Sequence, residues 1–170
     1  MHYFLDTEFN EGPESVELIS LAVTSEDERD FYAISAEADL SRAGEWLQAN
    51  VISKLPPRSD PRWMARSEIA RGVEALVGED EAPKFWAYYG AYDWVAFCQV
   101  FGGLLHLPKR FPKWYHELKM LDALAGNPAK LTKPGGRHDA LVDTRWNREL
   151  FLYLCNVIRD RGDPLLLDRP

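Results

Sequence analysis

The chain has 170 residues, 46% of them hydrophobic and 28% charged, with a formal net charge of −7. That length suits a single domain, residues 1–170, which buries roughly 70% of its unfolded surface without disulfide or metal staples, and the balance of residues excludes general disorder. The negative charge speaks against a sequence-independent nucleic-acid coat, which is normally basic, but not against an enzyme that meets phosphate through bound cations.

The start, Met1-His2-Tyr3-Phe4-Leu5-Asp6, has no basic leader and no long apolar run, so neither a signal peptide nor a membrane span is expected. Tyr3 to Asp6 is a short apolar run ending in a carboxylate, the pattern of a buried central strand. Gly12-Pro13, within Asn10 to Glu14, marks a turn. Val16 to Thr24 and Arg29 to Ser35 then return as strands, so the first 35 residues predict an antiparallel meander. Leu40 to Val51 carries a weak helical pattern, and Pro56, Pro57 and Pro61 interrupt the chain. Ser67 is placed to cap a helix reaching about Val77, with Ile69, Val73, Leu76 and Val77 on one face. Lys84 to Tyr89 predicts a strand, Tyr92 to Phe101 a helix, and His116 to Ala125 another. The last helix, from about Asp139 to Arg159, has the clearest stripe: Leu150, Phe151, Leu154, Cys155 and Ile158. A meander followed by alternating helices and strands predicts a mixed sheet covered by helices. Cys98 and Cys155 sit among apolar neighbours and read as core residues of a protein from a reducing, cytoplasmic setting.

Asp6 and Glu8, two apart on a strand, project from the same face. Two carboxylates side by side on a buried strand require a proton, a basic partner or a metal ion; the plainer alternative is that Asp6 opens a turn and Glu8 faces water. Asp143 lies four residues before Asn147 and seven before Leu150, on the buried stripe of the last helix. Arg145 and Arg148 are two and five residues from it, poor spacings for an ion pair on the same helix. Asp93 falls in the first turn of a helix, where an acid favours the helix dipole, but its neighbours Tyr92, Trp94, Val95 and Phe97 are apolar. His138, five residues before Asp143, reads either as a capping or surface side chain or as a proton acceptor with a pKa near working pH. From Lys109 to Arg137, seven basic residues (Lys109, Arg110, Lys113, Lys119, Lys130, Lys133, Arg137) face only Glu117 and Asp122. This is a candidate surface for phosphates or simply a solvated loop.

Three motifs, Asp6-Thr7-Glu8-Phe9, Tyr88-Tyr89-Gly90-Ala91-Tyr92-Asp93 and His138-Asp139-Ala140-Leu141-Val142-Asp143, taken in this order, resemble those of the DEDD superfamily of 3′→5′ exonucleases in its histidine-bearing (DEDDh, RNase T-like) branch. Among its members the short chain is most similar to the bacterial polyadenylate-preferring 3′-exoribonucleases of the RNase AS type. The resemblance implies an RNase H-like α/β fold, a five-stranded mixed sheet with helices on both faces. It implies catalytic residues Asp6, Glu8, Asp93, His138 and Asp143, with the four carboxylates holding two Mg²⁺ or Mn²⁺ ions roughly 3.5–4 Å apart. Removal of nucleoside 5′-monophosphates from RNA 3′ ends or overhangs, with adenylate preference, would follow, in a protein that is commonly a homodimer. Thr7, Phe9, Ser20, Tyr92, His138 and Trp63 are the candidate nucleotide contacts. Two positions depart from the family pattern: Tyr89 replaces a common asparagine, and Ser20 a common glutamate. A DNA-directed proofreading or repair exonuclease would use the same site, and an inactive nucleic-acid-binding relative would lack turnover.

Overall fold

The computed structural model describes residues 1–13, 15–129, 131–133, 135 and 138–162. Glu14, Lys130, Pro134, Gly136 and Arg137, which entered the readings above, lie outside the described residues. Six strands form one mixed sheet: β1 His2–Glu11, β2 Val16–Ser25, β3 Asp30–Ser35, β4 Trp63–Met64, β5 Lys84–Ala87 and β6 His116–Glu117. Their order is β4-β3-β2-β1-β5-β6. β1, β2 and β3 are the expected antiparallel meander, while β5 joins β1 in parallel. The expected count was five. The sequence pattern itself shows four strands and the resemblance implied five; β4 and β6, parallel edge strands of two residues each, are too short to show a period in sequence.

The helices are α1 Glu45–Asn50, α2 Arg66–Val77, α3 Ala91–Val100, α4 Leu118–Leu124 and α5 Ala140–Asp160. Alternation along β1 sorts them into two layers. Tyr3 and Leu5 point into a core with Ile69 and Val73 of α2 and Phe97 and Val100 of α3. Phe4 points the other way, against Leu118 and Leu121 of α4 and Leu150, Phe151 and Leu154 of α5. The expectation of helices on both faces is met. Burial of such side chains stabilises the fold by about 1.5–3 kcal/mol each.

Several boundaries differ from the sequence expectation. The single helix over Leu40 to Val51 is a 3₁₀ turn at Leu40–Arg42, the short α1, and a second 3₁₀ turn at Ile52–Lys54; no residue of α1 is buried, so no apolar face holds a longer helix together. α2 begins before Ser67, with Ala65 at its N-cap and the Glu68 carboxylate accepting the Ala65 N–H at 2.8 Å. Gly72 lets α2 close on β3, because a Cβ there would lie 2.1 Å from the Phe31 ring. α4 loses its first two expected residues to β6. Among the described residues, no helix is long and apolar enough to cross a membrane.

Candidate active site

The acidic face of β1 is the continuation of its Phe4 face. Asp6 and Glu8 follow Phe4 at period two, and all three look toward α5. Asp6 does not open a turn: β1 runs through it to Glu11. Beyond Glu8 the register with β2 shifts, Glu8 facing Ser20 while Phe9 faces Leu18, so Ile19 is extra. Such bulges re-aim side chains beside functional sites. Ser20 is buried directly opposite Glu8.

α5 supplies the third carboxylate. Its N-cap is Asp139, whose side chain accepts the N–H groups of Leu141 and Val142. Asp143, Asn147 and Leu150 all lie on the buried stripe. Polar ties hold the helix over the sheet. Thr144 and Thr24 share a 2.8 Å hydroxyl bond, Arg145 pairs with Asp30, the Arg148 guanidinium donates to Glu26 O at 2.9 Å, and the Asn147 amide donates to Leu5 O at 3.3 Å. Arg145 and Arg148 therefore spend their charge on the β2 and β3 ends of the sheet and not on Asp143, as their spacing predicted.

The outcome is one tight group. Asp6, Glu8 and Asp143 bring carboxylate oxygens within 4.8 Å of one another. Burial first, and then the charges of Asp93, Asp143 and Glu8, push the Asp6 carboxyl well above the usual carboxylate range. Part of Asp6 still touches solvent, so its rise reflects crowding by like charge as well as lost hydration. Burial, followed by Asp143 and Asp93, raises Glu8 to about 8, with Lys54 acting against the rise. Hard oxygen donors at this separation suit a shared divalent cation with ligand distances of about 2.0–2.6 Å. The residues present fit such an ion, which would replace the protons that the cluster otherwise takes up.

Asp93 sits apart from this trio. It lies in the first turn of α3, on the Thr7 side of β1, and is buried. Its Oδ1 accepts both the Thr7 N–H at 2.8 Å and the Thr7 hydroxyl at 2.6 Å. Burial raises its carboxyl to about 6, and these two bonds limit the rise. The Thr7 N–H and hydroxyl are thus both engaged by Asp93 in this structure. The turn before α3 is fixed by Glu117 of β6, which accepts the Tyr89 and Gly90 N–H groups at 2.9 and 3.0 Å. Tyr89 takes a left-handed φ of 58° there, and a Cβ on Gly90 would meet the Ala87 Cβ at 2.2 Å.

His138 precedes α5 with φ 64°, its ring edge-on to Trp46 of α1 at 4.6 Å between centroids. It does not belong to the three-carboxylate group. Phe9 and Tyr92 meet at 5.6 Å between ring centroids, and Tyr92 remains 46% exposed. Trp63 stands elsewhere. It lies in edge strand β4, three strand spacings or roughly 14 Å from β1, with its indole donating to Pro56 O and Arg58 over its ring. The basic segment is also less free than its charge suggests. Lys113 donates to Leu107 O, Lys119 pairs with Asp122, and Lys133 pairs with Asp143. Sequence reasoning missed Lys133, Glu117 and Trp46 as parts of the site's surroundings. Lys133 entered it only as one of the seven basic residues between Lys109 and Arg137.

The mixed sheet with helices on both faces is RNase H-like, the fold of 3′-exonucleases. The Schizosaccharomyces pombe Pop2p structure with Mg²⁺ and Mn²⁺ superposes with TM-score 0.54 at 11% identity, over 95% of this chain and 84% of that one. A 3′-exonuclease that recognises the 3′ end of the histone mRNA stem-loop gives TM-score 0.56 at 12% identity, over 95% of this chain and 65% of that one. Cell-death related nuclease 4 gives 0.52 at 12% identity, over 91% and 63%. In sequence, the 3′-5′ exoribonucleases of Mycobacterium tuberculosis strains CDC 1551 and H37Rv are each 42% identical over 147 residues, 85% of this chain and 88% of theirs. The chain belongs to that family of 3′-5′ exoribonucleases. No protein-family profile matches the chain.

Proposed function

We propose that the chain acts as a single DEDDh-type exonuclease domain of the RNase AS kind, removing nucleoside 5′-monophosphates from RNA 3′ ends or overhangs with divalent cations, Mg²⁺ or Mn²⁺, two to a site. The observation that carries this reading is the convergence of Asp6, Glu8 and Asp143 within 4.8 Å, in a chain whose 42% identical relatives are 3′-5′ exoribonucleases. Asp6, Glu8 and Asp143 would hold the ions, with Asp93 assisting from the Thr7 side. When bound, the ions lower the pKa of a water and stabilise charge on the phosphate and the departing 3′-oxygen.

The other residues bind, orient and move protons. His138, at the mouth of α5, takes the proton of the attacking water. A histidine suits this because its unperturbed pKa of about 6.5 lies near working pH. Phe9 and Tyr92 offer aromatic faces for the terminal base, and stacking of this kind is worth about 1–3 kcal/mol per base. A purine offers the larger face, in line with adenylate preference. Ser20, buried opposite Glu8, is smaller than the glutamate common at its position. The same reading places the protein in the cytoplasm, with both cysteines buried as free thiols, and pairs it as a homodimer through the exposed Leu104, Leu105 and Trp114.

The test is hydrolysis of 5′-labelled RNA and DNA ladders, including oligoadenylate and oligouridylate, with Mn²⁺ and with EDTA. Metal-dependent shortening from the 3′ end of RNA, fastest on oligoadenylate, is expected. Asp143→Asn should lower the rate by about 10³-fold, the equivalent of removing several kcal/mol of transition-state stabilisation. Equal cleavage in EDTA, or full activity in Asp143→Asn, would overturn the reading; preferential DNA cleavage would replace RNA by DNA as substrate.

A further inference from the structure

Lys133 lies in the segment between α4 and α5, and its ammonium enters the carboxylate cluster. Nζ is 2.9 Å from Asp143 Oδ1. That oxygen is buried and has no hydrogen bond, so the contact is an ion pair without hydrogen-bond alignment. The same ammonium lies 5.2 Å from the centroid of the Trp146 ring, a cation–π seat one helical turn further along α5. Its charge also reaches Asp6, where it opposes the rise caused by the neighbouring acids.

Three converging carboxylates need positive charge, and a divalent cation shared by Asp6, Glu8 and Asp143 must take the carboxylate that Lys133 already holds. We propose that Lys133 is the resident counter-ion of the metal seat: it neutralises Asp143 in the metal-free protein and competes with the divalent cation for that carboxylate. This inference rests on the metal-dependent reading above. The geometry gives the displaced side chain a place to go. Its head already faces the Trp146 ring, and a cleft of about 840 Å³ opens between Leu131, Thr132 and Gly135 on one side and Val142 and Trp146 of α5 on the other. Metal uptake is therefore an exchange of cations on Asp143, and the carboxylates stay gathered in the metal-free chain.

Calorimetric titration of Mn²⁺ into the full chain tests this without reference to activity. Lys133→Met keeps the apolar stem over Trp146 and removes the competitor. It should bind Mn²⁺ with an apparent Kd lower by about tenfold, melt at a lower temperature without metal, and gain more from added Mn²⁺ than the unaltered protein does. Lys133→Gln should do the same, whereas Lys133→Arg, which keeps the charge, should not tighten binding. Unchanged or weaker Mn²⁺ binding in folded Lys133→Met and Lys133→Gln would overturn the proposal while leaving the metal-dependent reading intact. An unaltered protein that takes up no Mn²⁺ would remove that reading and this inference together.

Discussion

Thr7 gives both its backbone N–H and its hydroxyl to Asp93 Oδ1, and these bonds keep a buried carboxyl from rising beyond about 6. Thr7→Val preserves shape and removes the hydroxyl alone. Loss of a bond to a charged group costs about 1.5–3 kcal/mol, and Asp93 should then hold its proton to higher pH. The acid limb of the pH–kcat/KM profile should move upward; a limb that stays in place would show that Asp93 does not titrate in the reaction. His138→Ala should lower kcat far more than RNA affinity, measured separately by single-turnover kinetics and equilibrium binding. Equal losses in both would make His138 a binding residue. At this scale the sequence carried the acids well. Asp143 is legible because its spacing to Asn147 and Leu150 puts it on a buried stripe, and Asp6 and Glu8 because a strand repeats every two residues. Lys133 and Glu117 were not legible as partners, since ion pairs and turn clamps between distant segments leave no period. The pairing of Thr7 with Asp93 is hidden for the same reason: the two lie 86 residues apart.

Elements position the acids through contacts that a single substitution can loosen. Gly90 stands at the N-cap of α3, where an added Cβ would lie 2.2 Å from Ala87 Cβ. Gly90→Ala should displace the first turn that carries Asp93, costing about 1–3 kcal/mol as an overpacked site does. Its activity should fall further than its thermal stability explains, and unchanged kinetics would show that the turn does not set Asp93. Leu154 of α5 is fully buried against the Phe4 face, so Leu154→Ala should destabilise by about 2–5 kcal/mol in denaturant titration with the site chemistry intact once folded. The long elements were readable because each buries one face. β2 is buried along eight of its ten residues and α5 keeps a continuous stripe. β4 and β6 were not readable, because two residues cannot show a period. α1 was overextended in the sequence reading because it has no buried residue to mark where its helix must stop.

The whole molecule couples these carboxylates to pH. Glu8 is raised from 4.5 to about 8, so between those values the folded state binds more protons than the unfolded one, and stability falls as pH rises. His116, stacked on Trp86, is lowered by burial from 6.5 to about 4, so across that window stability rises with pH. The two oppose one another up to about pH 6.5. Above it the contributions of Glu8 and of Asp6, whose carboxyl also stands well above the usual range, remain, and the metal-free protein should lose melting temperature between pH 6.5 and 8, as read by thermal denaturation in EDTA. Glu8→Gln should flatten that slope; a slope unchanged in Glu8→Gln would assign it to other groups. Mn²⁺ should abolish it in the unaltered protein, because a cation stabilises the ionised cluster. A crystal structure grown with Mn²⁺ and read by anomalous scattering shows directly whether the three carboxylates share a cation. Anomalous density between the carboxylates of Asp6, Glu8 and Asp143 is predicted, with Lys133 withdrawn from Asp143. Well-ordered carboxylates with no anomalous density among them at saturating Mn²⁺ would contradict it.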